Sequence, residues 1–587
     1  MSMTGQGIEK TTEIWRKYKS GVEHHRTKNM YRRDERCWHF YNGDQWYGME
    51  QGKDELPSEN FIKPILKYKI ATVATNDTTI VFSCRDEGMQ DICQALNSFA
   101  GQVWESTRMD ALKWKAVKAA AITGDSYAYT YDRRPASQAV VQDDTPRLEV
   151  ELIDRSAVYL ADEQEPNIQA QEWIIIAERR PVQELRRLAR ENGLTEEEIE
   201  LIKPDAETDT LVNQRQEDEV KAGDGKCTSL VFFRLAEAEA EPDEDGVPKP
   251  GPRRRVLEFG RSTEQVVWQP VQRVPGMDRY PIAQMRWEEM PGTARGVSEC
   301  EQLIPNQIEA NKTLARRSLI VKRYGYPTAV YDVDKIDNPG ALTKVGAVVK
   351  AHNLAGQNIG TAIQYLEPRT TSGEGAALQQ ELIQTTRELE GASDNATGQV
   401  DVTKTSGEAI KAARDQAALT LNDQSAAYKD FVEQLARIWF KLWCAYSPAG
   451  LVIDGGQGAA VMRVPPEVLS ELDLELRIDV SPADPYSVLS QQTSLDNALA
   501  GGHINFEEWV EALDDNSPVP AAKFRAIVER RRALAAQQMQ AQLAAAQQTM
   551  DAMQGGAGAM PDAAALAAAQ TAMPEGGTGN AVQSVPV

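Results

Sequence analysis

What this chain has little of narrows its chemistry first. It holds five histidines in 587 residues, none of them in a recognisable motif, so acid–base triads and imidazole metal sites have little to build on. Its six cysteines (Cys37, Cys84, Cys93, Cys227, Cys300, Cys444) are scattered with no C-x-x-C pair. That argues against a disulfide framework and predicts reduced, buried thiols of a cytoplasmic chain. No apolar run approaches the roughly 18 residues that cross a bilayer, and no N-terminal apolar stretch resembles a signal sequence, so neither a membrane span nor secretion is expected. Positive charge is in deficit, with 64 Lys and Arg against 87 Asp and Glu, a formal net charge of −23 and a pI near 4.9. Such a chain does not coat nucleic acid by bulk attraction, although local basic patches remain compatible with it.

Catalytic signals are equally thin. Gly124-Asp125-Ser126-Tyr127-Ala128 approaches the G-x-S-x-G nucleophile elbow but ends in Ala, and an ordinary strand start is the better reading; a hydrolase using Ser126 is kept as an alternative. Gly225-Lys226 resembles the end of a phosphate loop, yet Cys227 stands where Ser or Thr is needed and Val220 where the first glycine belongs. Cys37 and His39 could share a metal, but nothing at ligand spacing completes the set. No enzyme, cofactor or metal is expected.

What is present is an α+β chain, predominantly α-helical, long enough for several domains. Glu9 to Phe40 reads as one helix, and from Arg16 to Arg36 it carries eight basic residues against three acidic ones, a solvated or subunit-facing surface in preference to a nucleic-acid patch. Asn42-Gly43 marks a turn between aromatics. A helical stripe (Ile65, Leu66, Ile70, Val73) follows with Lys63, Lys67 and Lys69 around it. Gln94 to Thr123 reads as a second long helix stopped by Gly124, then alternating aromatics in SYAYTYD give a strand. Further strand-like runs (VELIDRSAVYLAD, QEWIIIAERR), two short helices and a four-run β-meander (TSLVFFRL, RRRVLEFG, EQVVWQPV, PIAQMRWEE) complete a mixed region. The first meander turn is expanded into an acidic, proline-rich loop, solvated by composition.

After Pro291-Gly292 a helix carries five basic residues, Lys312, Arg316, Arg317, Lys322 and Arg323, and no acidic one between Lys312 and Arg323. A short β-rich unit (PTAVYDV, KVGAVVK, AIQYLEP) and another helix lead into a polar, glycine-punctuated segment from Gly391. From there one long helix is predicted, opened by a Thr405/Glu408 capping box and carrying an apolar stripe that includes Phe431, Leu435, Trp439 and Trp443. About 40 residues at 1.5 Å each make a rod of roughly 60 Å. A core helix of a large protein and a beam in a ring or wall fit the spacing equally. Beyond it come a strand (DLELRIDVSPAD), a helical pair, a Gln/Ala-rich helix with weak heptads that could self-pack, and a Gly/Ala/Pro tail from Gly555 that reads as disordered.

Three motifs in this order carry a resemblance: F-Y-x-G-D-Q-W from Phe40 to Trp46 at the end of the basic helix, N-x-I-x-P at Asn60, Ile62 and Pro64, and S-G-E-A-I from Ser406 to Ile410. With the helix–β unit–helix–loop–long helix layout, the chain resembles tailed-bacteriophage portal (head-to-tail connector) proteins of the short-tailed, podovirus type, over most of its length to about Asp515. The resemblance implies a ring, expected to be a dodecamer, at one capsid vertex, with residues 1–295 as wing, 296–324 as the first stem helix, 325–368 as clip, 369–390 as the second stem helix and 391–404 as tunnel loop. Residues 405–446 become the channel-to-crown helix, 447–553 the crown with its C-terminal helix, and 554–587 a disordered tail; the family's longer C-terminal barrel exceeds what this chain supplies. Tunnel-loop residues Asp394, Asn395, Thr397, Gln399, Asp401 and Lys404 would meet DNA. They suit that task, since Lys404 is the loop's only cation and each neutralised phosphate adds salt-dependent friction. The basic run of the stem would line the channel or pair with acids across a subunit interface. Implied partners are further copies of the chain, double-stranded DNA, the terminase large subunit, major capsid and scaffolding proteins and head-tail adaptor or tail proteins, with no membrane. The implied location is the virion, with assembly in the host cytoplasm. Another oligomeric virion component, a scaffold or ejection core, is the nearest rival.

Overall fold

The computed structural model describes residues 4–134, 146–205, 225–237, 255–392 and 419–483, with short gaps inside these spans (50–55, 84–88, 367–372, 454–461 and 470–476 are the longest), and scattered residues of 484–532. The acidic loop of the meander, the capping box at Thr405 and Glu408, most of the Gln/Ala-rich helix and the tail from Gly555 lie outside the described residues. The chain divides into two units, Met1–Ala483 and Asp484–Val587. About half of it is helical and about a fifth strand (51% and 22%), so helix dominates as its propensities suggest.

The N-terminal helix expected as one rod is two, α1 (Thr4–Thr27) and α2 (Met30–Asn42). The break sits at Asn29, φ 53, a left-handed conformation that Asn tolerates better than most residues. Gly43 ends α2 at φ 111, its N–H donating to the His39 carbonyl, the usual glycine stop. Then come α3 (Ile62–Ala74) and β1 (Asp77–Ser83). The second expected rod is likewise divided, into α4 (Gln90–Ser106) and α5 (Met109–Thr123), with Arg108 left-handed between them. Thr107 Oγ1 donates to the Trp104 carbonyl (3.3 Å), the group the Arg108 N–H would take in a continuing helix, and that N–H turns to the Glu105 carbonyl (3.0 Å) instead.

The mixed region holds β2 (Asp125–Asp132), β3 (Leu148–Ile153), β4 (Val158–Leu160), β5 (Trp173–Pro181), the short helices α6 (Val182–Glu191) and α7 (Glu196–Glu200), and β6 (Lys226–Glu237), β7 (Arg255–Ser262), β8 (Val267–Val274) and β9 (Ile282–Arg286). The strands form two antiparallel sheets, ordered β4-β5-β6-β7-β8 and β3-β2-β9. The meander therefore has three strands, and the fourth run leaves it to pair with β2, Ile282 opposite Tyr129 and Arg286 opposite Asp125. Its residues Ile282 to Met285 are all buried, which suits a strand covered on both faces and not the solvent edge of a meander. The amide of Gln284 fixes the position, donating to Tyr127 Oη (2.9 Å) and the Ala294 carbonyl (2.8 Å).

Next are α8 (Glu299–Gly325), β10 (Thr328–Tyr331), β11 (Ile363–Leu366), α9 (Glu374–Leu389), α10 (Asn422–Tyr446), and the strands β12 (Leu451–Ile453), β13 (Met462–Val464) and β14 (Arg477–Ala483). β10 and β11 pair antiparallel, but the expected strand KVGAVVK is absent: residues 347–350 are irregular, with a single bridge from Ala351 to Ile336. Val348 is 78% exposed, so that run has no face to bury as a strand would. β12 and β13 form a hairpin not foreseen from sequence. β14 pairs with β1, Asp77 opposite Ala483, across some four hundred residues of chain.

One hydrophobic core runs through the first unit from Ile14 to Leu469. α10 lies in it against β9, β2, β1 and β14. Phe431, Leu435, Trp439 and Trp443 are fully buried. The second unit has its own small cluster of Trp509, Val510 and Val528, with Trp509 on the helix α11 (Phe506–Glu511).

Candidate functional site

α8 begins at Ser298, whose Oγ accepts from the Glu301 N–H (3.0 Å) and donates to the Ile122 carbonyl (2.6 Å), a serine cap anchored to the end of α5. α9 runs antiparallel to α8. Near the start of α8, Asn306 meets Thr386 (3.2 Å), and further along Arg317 meets Gln379 (2.8 Å). The strand-like approach to α3 is sewn onto the same helix. Gln307 Oε1 accepts from the Phe61 N–H (3.0 Å), Asn311 Oδ1 accepts from the Glu59 N–H (2.9 Å), and both side chains are buried. These amides satisfy donors at a helix start that would otherwise be orphaned.

The basic run of α8 is unevenly engaged. Arg317 is held by Gln379, Arg316 pairs with Glu309 at 3.5 Å in solvent, Lys312 is half-buried and Lys322 is exposed; the Arg323 side chain lies outside the described residues. Within the run Val321 is 70% exposed, and beyond it apolar side chains face water: Val333 is 76% exposed, and Tyr365, Leu366 and Ile359 about half. Among the described residues of the β unit, only Ile336 and Ala362 are buried apolar residues. A lone pair of strands with so little interior is marginal by itself and calls for a covering surface.

At the other end of α9, Gly391 adopts φ +67, and a Cβ there would stand 2.9 Å from Thr420 Oγ1. Ala392 and Leu421 are both buried. Gly391 and Thr420 thus lie side by side. Asp394, Asn395, Thr397, Gln399, Asp401 and Lys404 lie between them, outside the described residues. The helix expected to run unbroken from Thr405 is interrupted by a turn at Thr420–Leu421, and the described helix spans 25 residues, about 38 Å. Leu421, with φ −106 and ψ 15, is the buried residue from which α10 starts.

Beside Gly391 sits an ionic cluster that sequence reasoning missed. Lys69 Nζ lies 2.5 Å from Glu299 Oε1 and 2.5 Å from Glu390 Oε2, and the Trp287 indole donates to Glu299 Oε2 (2.8 Å). Burial first, and the neighbouring Glu299 carboxyl next, push the Glu390 carboxyl up to about 7. Burial would raise Glu299 as well, but its hydrogen bond with Glu390 and the Lys69 charge hold it below the usual range. The available signal was position: Lys69 sits with Ile65, Leu66, Ile70 and Val73 on the buried face of α3.

A second buried network lies between the two sheets and α1. Gly124, φ +108, abuts Gly296, where neither backbone leaves room for a Cβ. From the adjoining Arg295, the guanidinium donates to Glu163 (2.7 and 2.8 Å), the Val158 carbonyl (2.7 Å), the Arg155 carbonyl (3.2 Å) and Tyr127 Oη (3.1 Å). Arg155 pairs with Asp125 at 2.9 Å and with Asp34 at 3.5 Å. Burial opposes ionisation of Glu163, yet Arg295 outweighs it and holds that carboxyl well below the usual range. Burial pushes His25 down to about 4, against the pull of Glu163. His25 is therefore neutral in the fold while the unfolded ring takes a proton below about 6.5. Its contribution is present above pH 6.5 and is lost as pH falls toward 4, about 3 kcal/mol in all. The urea midpoint should drop across that window, and His25→Phe should flatten the drop; an unchanged slope in the variant would assign the acid sensitivity elsewhere.

Ser126 is 3% exposed and its Oγ has no hydrogen-bond partner among the described residues, while the His25 ring is engaged by Arg295 and Glu163. No serine–histidine pair is assembled there. Cys37 Sγ turns toward Ser298 (3.8 Å), whereas His39 stacks on Tyr47 and bonds Asp44, so the two do not share a ligand. Among the described residues no group of three or more His, Cys, Asp or Glu is placed to hold a metal, and no helix is long and apolar enough to cross a membrane. Of the basic N-terminal surface, Lys17, Lys19 and Arg33 pair with Glu13, Glu264 and Glu301 of the same chain.

A mixed helix–strand body, with an antiparallel helix pair joined through a small and largely uncovered β unit, is the framework of a structural, assembly-forming class of protein. A family model described as "Phage P22-like portal protein" matches residues 16–454, and the chain belongs to that family. A search of curated proteins returns no match.

Proposed function

We propose that the chain forms the ring at one capsid vertex through which genomic DNA is packaged and later ejected. The observation that carries this reading is the portal-family match over residues 16–454, which contains the whole of α10. In this reading residues 1–295 are the wing, α8 and α9 the stem, 325–368 the clip, and 391–404 the tunnel loop. The exposed apolar side chains of the clip supply the faces that neighbouring copies cover. The clip docks the terminase large subunit during packaging and head-tail adaptor proteins afterwards, and the wing meets capsid and scaffolding proteins. ATP hydrolysis belongs to the terminase. Lys322 and its basic neighbours on α8 face either the channel or acids of the next subunit.

Negative-stain imaging of the purified chain tests the ring directly. Closed rings with a central hole about as wide as duplex DNA are expected; filaments or monomers at high concentration would reject the portal reading. In a variant lacking Asp394 to Gln399, rings should persist while DNA packaging or retention fails. Loss of the rings themselves would remove the tunnel-loop assignment.

A further inference from the structure

We propose that Lys69, Glu299 and Glu390 form a proton-held clamp that fixes the C-terminal end of α9 to α3 and to the start of α8, and that slackens when the proton that offsets the second carboxylate is lost. Three separate elements converge on one ammonium: Lys69 from α3, Glu299 from the first turn of α8 and Glu390 from the end of α9, with both Lys69 distances at 2.5 Å. Lys69 and Glu299 are more than nine-tenths buried and the Glu390 side chain is about three-quarters buried. Two buried carboxyls are thus drawn to a single ammonium, a crowding of like charge that favours a proton on one of them. That proton belongs mainly to Glu390, because Glu299 already accepts from the Trp287 indole and from Lys69 and is the better-stabilised anion.

Charge balance gives the sign. With one proton on the pair, the cluster of one ammonium and two carboxyls is neutral; without it, a net negative charge is left in a place water hardly reaches, which is unfavourable. Lys69 of α3 and Glu299 of α8 are the charged groups acting on Glu390; on α9 itself Glu388 is turned to Gln384 (3.1 Å) in solvent. Glu390 is held near 7 in the clamp and would return to about 4.5 on release, so release is favoured as pH rises from 4.5 through 7 and changes little above that. The residue that follows, Gly391, is a left-handed point packed beside Thr420. The clamp therefore sets how firmly that point is held, and it would do so whether or not the chain assembles into a ring.

Arg387 in the last turn of α9 offers a trypsin site next to the clamp. Brief digestion of the full chain between pH 6 and 8.5, with cleavage after Arg387 followed by mass spectrometry, reads the opening. Dividing the wild-type rate by that of Glu390→Gln cancels the protease's own pH dependence. The ratio should rise about tenfold over this range. Glu299→Gln, which leaves one ammonium and one carboxylate and needs no proton, should track Glu390→Gln. A ratio that stays flat or falls overturns the clamp, since a purely structural role would loosen α9 equally at every pH.

Discussion

A Trp439→Ala, Trp443→Ala double variant is expected to lose its cooperative unfolding transition. Both indoles are fully buried on α10. Trp443 packs on Phe99 with ring centroids 4.8 Å apart and on Phe82 at 6.1 Å, and Trp439 meets Trp104 at 6.4 Å. Through these rings α10 grips both β1 and α4. Truncating a buried Trp to Ala costs about 3–5 kcal/mol, and a domain's whole stability is about 5–15 kcal/mol. Two adjacent deletions on one helix face therefore remove most of the margin. The N–H groups of both indoles lack a hydrogen-bond acceptor among the described residues, and a buried unmade donor itself costs about 1–3 kcal/mol. Phenylalanine at the same positions removes that penalty along with some volume, so the double Phe variant should stay within about 2 kcal/mol of wild type. Urea unfolding followed by circular dichroism separates the cases. If the Ala variant unfolds within 1 kcal/mol of wild type, α10 is not the beam of this core.

Element types are legible in this chain because the local patterns are strong. SYAYTYD, QEWIIIAERR and TSLVFFRL form strands because aromatic and β-branched residues pack well on a pleated surface, and the stripe around Trp439 forms a helix face. Partnerships are less legible. Whether PIAQMRWEE closes a meander or joins β2 depends on where the Gln284 amide finds Tyr127 and Ala294, groups brought near only by the finished fold. The breaks at Asn29, Arg108 and Leu421 are of the same kind: local propensity favours continuing each helix, and tertiary packing overrides it. The small β unit between α8 and α9 is legible from the element order read along the chain. The ionic cluster is not, because Lys63, Lys67 and Lys69 look alike on paper. Only the buried phase of α3 distinguishes Lys69.

Arg295→Ala should be the most damaging single charge change in the first unit. The guanidinium makes six hydrogen bonds, to both Glu163 oxygens, Tyr127 Oη, His25 Nε2 and two backbone carbonyls, and is almost wholly buried. Removing one partner of a buried ion pair costs about 3–5 kcal/mol, because the other is left charged without compensation. Here Glu163 is the stranded charge, and without Arg295 its carboxyl must rise from its depressed range and take a proton. The loss should therefore be largest at neutral pH and shrink as acid neutralises Glu163. Lysine does not rescue the site, since an ammonium cannot span Glu163, Tyr127 and the Val158 carbonyl as the planar fork does. An Arg295→Met, Glu163→Gln pair should recover part of the loss, and the double-mutant cycle then reports the coupling between the two groups. A loss below 1 kcal/mol for Arg295→Ala, or one independent of pH, would mean that water replaces the guanidinium and that Gly124 against Gly296, rather than the charge network, joins the sheet to the start of α8.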